Sequence, residues 1–196
     1  MLNECPRCWY MQIHGIYKRP YTPFPSIFNR IDKLMRGAYQ GKSSLVVTSK
    51  EGTFDTKEYK LVSPLFIIAD NVYIQFSGKT DCLIKFDDGT VGILDFKTSE
   101  VKPDLVQLYA PQLYAYRESI DADVSRMGLL CASPNEAVLG DRLALSFSQI
   151  WVEIPIDENY WQNFIDKIST LLLTPFEEVQ SKPTCPHCEY QRKLNT

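Results

Sequence analysis

The stretch Gly78-Lys79-Thr80-Asp81-Cys82-Leu83-Ile84-Lys85-Phe86-Asp87-Asp88-Gly89-Thr90-Val91-Gly92-Ile93-Leu94-Asp95-Phe96-Lys97-Thr98 decides how this chain is read. Asp87-Asp88-Gly89 separates two apolar, β-rich runs, as in a hairpin with a three-residue loop and Gly89 in the left-handed conformation. Phe86 then faces Thr90, and pairing outward from the loop sets Asp81 opposite Asp95. Strand side chains alternate, so Lys97 projects to the same side as Asp95, and two carboxylates and an ammonium meet on one patch. Carboxylates placed across a ladder repel each other, and a charge inside Ile93-Leu94-Asp95-Phe96 is costly unless compensated. A divalent cation compensates both. Magnesium accepts such hard oxygen donors while keeping several waters, which leaves positions for a phosphate and an attacking water. The competing reading leaves both aspartates in solvent with Lys97 paired to one of them, and a register slip of one residue puts them on opposite faces.

Outward from the hairpin, Tyr59–Val62, Leu65–Ile68 and Val72–Phe76 read as further strands of a meander, with Asp70-Asn71 as a turn. Upstream, Pro25 to Gln40 places Ile27, Ile31, Leu34 and Ala38 at helical intervals, with Ser26 as cap. Downstream, Leu105 to Ser119 reads as a helix that Pro111 should kink or start. Met127–Ala132 and Leu145–Ile154 read as strands. Asp157 to Leu173 reads as a helix capped by Asp157, with Trp161, Phe164, Ile165, Ile168, Leu171 and Leu172 as its buried stripe. This order predicts a mixed α/β domain spanning residues 1–196.

Gln112 and Tyr116 lie four apart on the predicted helix and share a face. The succession Gly78-x-x-Asp81, Ile93-Leu94-Asp95-Phe96-Lys97-Thr98 and Gln112-Leu113-Tyr114-Ala115-Tyr116 resembles the RecB-like branch of the PD-(D/E)XK nucleases. That resemblance implies a restriction-endonuclease-like core, a central mixed β-sheet flanked by helices. It also implies that Asp81, Asp95 and the backbone carbonyl of Phe96 hold one or two magnesium or manganese ions. Lys97 would orient or activate the attacking water and stabilise charge on the phosphate, and Gln112 and Tyr116 would steady the metal–water shell or the DNA backbone. Family members often carry a further His or Glu ligand on an early helix. Here the only acid on that helix is Asp32, which reads as a surface charge beside Lys33 and Arg36.

Cys5-Pro6-Arg7-Cys8 and Cys185-Pro186-His187-Cys188 lie near opposite ends of the sequence. Four cysteines in two Cys-x-x-Cys pairs suit a tetrahedral zinc ion or a cubane iron–sulfur cluster, and either would staple residues 1–23 to 183–196. Cys5-Pro6-Arg7 before Trp9-Tyr10, and Cys185-x-x-Cys188-x-Tyr190, resemble the cysteine motifs of the iron–sulfur nucleases, such as the AddB-type subunit and the CRISPR-associated adaptation exonucleases. Those proteins use one early and three late cysteines, whereas Leu194 stands here where the last would fall, and Cys8 would have to supply the fourth ligand. The resemblance turns the expectation towards a [4Fe-4S] cluster, with structural Zn2+ as the alternative. His14 and His187 read as bystanders, and Cys82 and Cys131 as small buried residues.

With 21 Lys+Arg against 24 Asp+Glu the formal charge is −3, which excludes a general basic field for nucleic acid and confines any contact to a local patch. Arg30, Lys33 and Arg36, with Lys18 and Arg19 upstream, offer one. Trp9, Tyr10, Tyr17 and Tyr21 either stack on unpaired bases or pack beneath the cysteine knuckle. No apolar run approaches a membrane span and the first residues carry no export pattern, so a cytoplasmic protein without a membrane partner is expected. The implied activity is a metal-dependent deoxyribonuclease acting on DNA with single-stranded or free ends, in repair, recombination or defence, with protein partners from those processes. The alternatives are a nuclease-fold module that binds nucleic acid without cleaving it and a metal-stapled interaction domain.

Overall fold

Strand β7 (Val91–Lys97) is buried from Gly92 to Phe96 and lies at the centre of a five-stranded sheet. A strand covered on both faces must be apolar almost throughout, and Asp95 is the one charged residue in that buried run. The computed structural model describes residues 5–17 and 25–194. On one side β7 pairs antiparallel with β6 (Cys82–Phe86), which pairs antiparallel with β1 (Gly52–Asp55). On the other it runs parallel to β8 (Val124–Leu139), which pairs antiparallel with β9 (Leu143–Glu153), giving the order β1-β6-β7-β8-β9. The parallel step requires a crossover, supplied by helix α3 (Leu105–Arg117). Helix α3 and helix α2 (Ser26–Tyr39) both pack on β7, so the mixed sheet is flanked by helices.

The hairpin has the expected register. Cys82 faces Leu94 and Leu83 faces Ile93, and the Phe86 amide donates to the Thr90 carbonyl at 3.0 Å. Gly89, at φ 85°, holds the turn in a conformation that a side chain would strain. Even-numbered residues Cys82, Ile84, Phe86, Leu94 and Phe96 form one core with Phe54, Leu130 and Ala132, closed by Met35 and Tyr39 of α2.

Three expectations are corrected. Pro25, not Ser26, precedes the first turn of α2, and the buried stripe of that helix is Met35 and Tyr39 with Ile31 half-buried; Ile27, Leu34 and Ala38 are exposed. The helix is rotated because Met35 and Tyr39 fill the core while the neighbouring Asp32–Arg36 row meets buried charge, described below. Second, the strands before the hairpin do not continue the main sheet. β2 (Lys60–Val62) pairs with β5 (Ser77–Lys79), and between them β3 (Phe66–Ala69) pairs with β4 (Val72–Ile74), with Asn71 at φ 61° in the turn. Third, α3 begins at Leu105, so Pro111 lies inside it and is not its start.

The described residues of 24–157 form one compact unit, and those of 1–23 and 158–196 form another. The second unit contains α1 (Pro6–Ile13), α4 (Tyr160–Leu173) and α5 (Pro186–Leu194), so both segments expected to form the staple belong to it together with α4. Helix α4 buries Trp161, Phe164, Ile165 and Ile168 as expected, but leaves Leu171 and Leu172 half-buried and starts after Asn159, later than the expected Asp157 cap. No helix among the described residues is long and apolar enough to cross a membrane.

Candidate functional site

Asp81 stands just before β6 and Asp95 near the end of β7, so the hairpin register brings both to the same end of the sheet. Asp81 Oδ2 accepts from the Phe96 backbone amide at 3.1 Å, which ties the carboxylate to the β7 main chain. Asp95, with a side chain only 3% exposed, pairs through Oδ2 with the Lys97 ammonium, while Oδ1 accepts from Gln112 Nε2 at 2.8 Å. Gln112 Nε2 also lies 3.0 Å from the Tyr116 hydroxyl, which in turn donates to the Lys79 carbonyl at 2.7 Å. All five side chains named from the sequence thus converge. Gly78 belongs to this arrangement: a Cβ there would come within 2.7 Å of the Tyr116 ring, so only glycine lets the ring lie against β5.

Two basic contacts were not foreseen. Arg36 of α2 places its guanidinium 3.2 Å from Asp81 Oδ1, 2.8 Å from Asp32 and 2.7 Å from Glu58. Asp32 is therefore half-buried in an ion-pair chain leading to Asp81, not a free surface charge, and Arg36 faces inward, leaving Arg30 and Lys33 as the exposed cations of that patch. Lys18 and Arg19 lie outside the described residues. The sequence did contain the signal: Asp32 and Arg36 are four apart on one helix face. The second is Tyr109, whose ring lies 4.2 Å beneath the Lys97 ammonium. Tyr109, Gln112 and Tyr116 follow the i, i+3, i+7 spacing of one helix face.

Burial pushes Asp81 up to about 6, and the Asp95 charge adds to this, against the pull of Arg36. Asp95 is raised by burial even though Lys97 opposes it. Burial works against the Lys97 ammonium, yet the attraction of Asp95 prevails and holds it above the ordinary lysine range. Burial also raises the Tyr116 phenol to about 12. Lys97 is therefore a fixed positive charge and Tyr116 a neutral donor at neutral pH. Asp32, Glu58, Asp81 and Asp95 stand against Arg36, Lys79 and Lys97, a surplus of one carboxylate, and hard oxygen donors of this kind fit magnesium or manganese. The raised aspartates are what the binding of a dication would relieve.

In the other unit, Cys5, Cys8, Cys185 and Cys188 are all buried, with their sulfurs within 4.8 Å of one another. Among the described residues this is the group of three or more potential ligands close enough to hold a metal ion; Asp32, Asp81 and Asp95 do not form a second one by that measure. Burial raises the Cys5 thiol, but amide donation from Cys8 and Lys182 outweighs it and holds Cys5 down to about 7. Neither His14 nor His187 belongs to the group. Trp9 and Tyr10 are buried, Tyr10 stacking with Phe176 at 5.8 Å, and Tyr17 packs against the cysteines, so these aromatics serve the knuckle and are not a platform for bases. Tyr21 lies outside the described residues. Cys82 and Cys131 are single buried thiols of β6 and β8, as expected.

A model of the PD-(D/E)XK nuclease superfamily matches residues 27–192. Among curated proteins none matches. Among solved structures, the crystal structure of SSO0001 aligns with a TM-score of 0.45 at 18% identity, covering 88% of this chain and 74% of the other.

Proposed function

Because the chain belongs to the PD-(D/E)XK nuclease superfamily, we propose that it hydrolyses DNA phosphodiester bonds in a magnesium- or manganese-dependent reaction, on single-stranded or free ends. The observation that carries this reading is the convergence of Asp81, Asp95, Lys97 and Gln112 at one end of the sheet. Asp81, Asp95 and the Phe96 carbonyl would hold the ion. Once bound, it would supply Lewis acidity and a water of lowered pKa. Gln112 keeps the Asp95 carboxylate in its rotamer by donating to Oδ1, while Oδ2 is shared with the Lys97 ammonium. Lys97 stays protonated, so its part is to neutralise charge developing on the phosphate rather than to abstract a proton. Tyr116 pins the strand end that carries Asp81 through the Lys79 carbonyl. Repair, recombination or defence is the setting that such an activity serves, in the cytoplasm and with partners from those processes.

One observation favours the second reading, a module that binds nucleic acid and cleaves it weakly. Arg36 holds Asp81, and Asp32 is committed to Arg36 where the family often places a ligand. End-labelled single- and double-stranded DNA, incubated with the protein and magnesium, manganese or chelator, separates the two. Expected is metal-dependent cleavage that Asp95→Ala and Lys97→Ala each reduce on the order of 100-fold or more. Cleavage at the parental rate in both variants removes this site from the reaction. Binding without cleavage in either metal establishes the second reading.

A further inference from the structure

We propose that Cys5, Cys8, Cys185 and Cys188 hold a single tetrahedral zinc ion, and that the [4Fe-4S] cluster implied by the cysteine motifs does not fit them. The spacing of the sulfurs carries this. Cys5 Sγ lies 3.5 Å from Cys188 Sγ, Cys8 Sγ 3.5 Å from Cys185 Sγ and 3.4 Å from Cys188 Sγ, and all four lie within 4.8 Å. A zinc–sulfur bond of about 2.3 Å in a tetrahedron sets the sulfurs about 3.8 Å apart, inside this range. A cubane puts an iron at each of four corners and pushes each thiolate outward, so that its sulfurs stand roughly 6 Å apart. A two-iron cluster separates its two ligand pairs in the same way. Accommodating either would require the knuckles to move apart, and the surrounding space is filled by Met11, Tyr17 and Phe176.

The local backbone agrees. Each Cys-Pro-x-Cys opens a helix with proline in its first position: Cys5 precedes α1 and Cys8 lies in its first turn, and Cys185 and Cys188 stand in the same relation to α5. The first-turn bonds repeat as well, Trp9 N to Cys5 O at 3.0 Å and Glu189 N to Cys185 O at 3.0 Å. Two knuckles of the same build, in contact through Cys5–Cys188, Cys8–Cys185 and Cys8–Cys188, offer two thiolates each to one centre, which is the donor set of a structural zinc site. The Lys182 amide donates to Cys5 Sγ at 3.2 Å, a bond that disperses thiolate charge around a dication. Cys8 thus serves as a full ligand in a two-plus-two set and not as a substitute for a late cysteine. The inference rests on these sulfurs alone and is independent of the nuclease reading.

The test is the metal content and spectrum of the full chain purified without oxygen, so that a labile cluster would survive. Expected are a colourless protein with about one zinc per chain and no acid-labile sulfide, and, after exchange with cobalt(II), the intense visible bands of a tetrahedral tetrathiolate. Brown protein with sulfide and about four irons per chain overturns the proposal, as does red, sulfide-free protein with one iron. Cys188→Ser should lose most of the zinc and of the cobalt spectrum. If that variant does not fold, the parental spectrum and stoichiometry still decide, and a Cys131→Ser protein should keep both.

Discussion

The acidic site of the sheet and the cysteine cluster are both gatherings of anionic ligands, but they deal with their charge in opposite ways. Asp81 and Asp95 have resident cations, Arg36 at 3.2 Å from one and the Lys97 ammonium on the other. Among the described residues the cysteine sulfurs show no such pairing: Arg7, inside the first knuckle, spends its guanidinium on the carbonyls of Val179 at 2.9 Å and Phe176 at 3.2 Å and on the Phe176 ring. A site with its own counter-ions keeps its shape when the metal leaves and can exchange it. A site of close-packed thiols without one depends on its ion to fold. The difference separates a centre suited to turnover from one suited to holding structure.

The widest gap this predicts is in the response to chelation. Stripping the thiolate-bound ion should destabilise the unit of α1, α4 and α5 by several kcal/mol, since the binding free energy of such an ion is folding free energy. Omitting magnesium should change the sheet unit by less than about 1 kcal/mol. Hydrogen exchange read by mass spectrometry, with and without a strong chelator, locates the effect: protection should vanish over 6–13 and 160–194 and persist over 82–97. Equal loss in both segments would break the comparison.

A smaller effect, readable in the metal-free protein, follows from the raised carboxyl of Asp81. Its folded value of about 6 lies above that of an unfolded chain, so between about pH 4 and 6 the folded state binds more protons. Stability from this group is thus fully present at the acid end of that window and declines as pH rises through it. Asp81→Asn, which keeps an acceptor for the Phe96 amide, should remove that slope. The variant should match the parent near pH 4 and exceed it by about 1–2 kcal/mol at pH 7 in urea titrations. Magnesium should narrow the difference by stabilising the parent alone. A variant that is less stable at every pH would mean that the Arg36 ion pair outweighs the burial of Asp81, and that the site is not held ready for an ion.

What the sequence revealed of this site was what the period of a strand and one glycine determine. Gly89 set the loop, the loop set the register, and the register brought Asp81, Asp95 and Lys97 together. The rotation of α2 was harder to see because two stripes compete on that helix. Ile27, Ile31, Leu34 and Ala38 make the more regular apolar row, yet the helix turns to bury Met35 and Tyr39 and to deliver Arg36 to a carboxylate that lies far away in sequence. Periodicity weighs apolar area and is blind to a distant buried charge. Strand β1, Gly-Thr-Phe-Asp, is too short and polar to register, and β8 runs past Pro134 only by way of a register shift between Pro134 and Glu136 that a linear pattern does not show. The cysteine pairs were legible as a group that could hold a metal, but the separation of their sulfurs exists only in three dimensions.

The finest test concerns how firmly the acidic site holds its own cation. Tyr109 presents its ring to Lys97 at 4.2 Å, in addition to the pull of Asp95, and a cation–π contact of this kind contributes about 0.5–2 kcal/mol. Tyr109→Phe keeps the π face and should leave cleavage within about twofold of the parent. Tyr109→Leu removes it and should slow cleavage by about 3- to 10-fold through a less ordered ammonium, with little change in KM, because the lysine still carries its charge. If Tyr109→Leu is as damaging as Lys97→Ala, the ring must itself meet the substrate. If Tyr109→Phe alone is impaired, the hydroxyl has a part that the ring contact does not explain. Only the graded outcome, Phe tolerated and Leu intermediate, fits a lysine held both by Asp95 and by Tyr109 as a fixed charge.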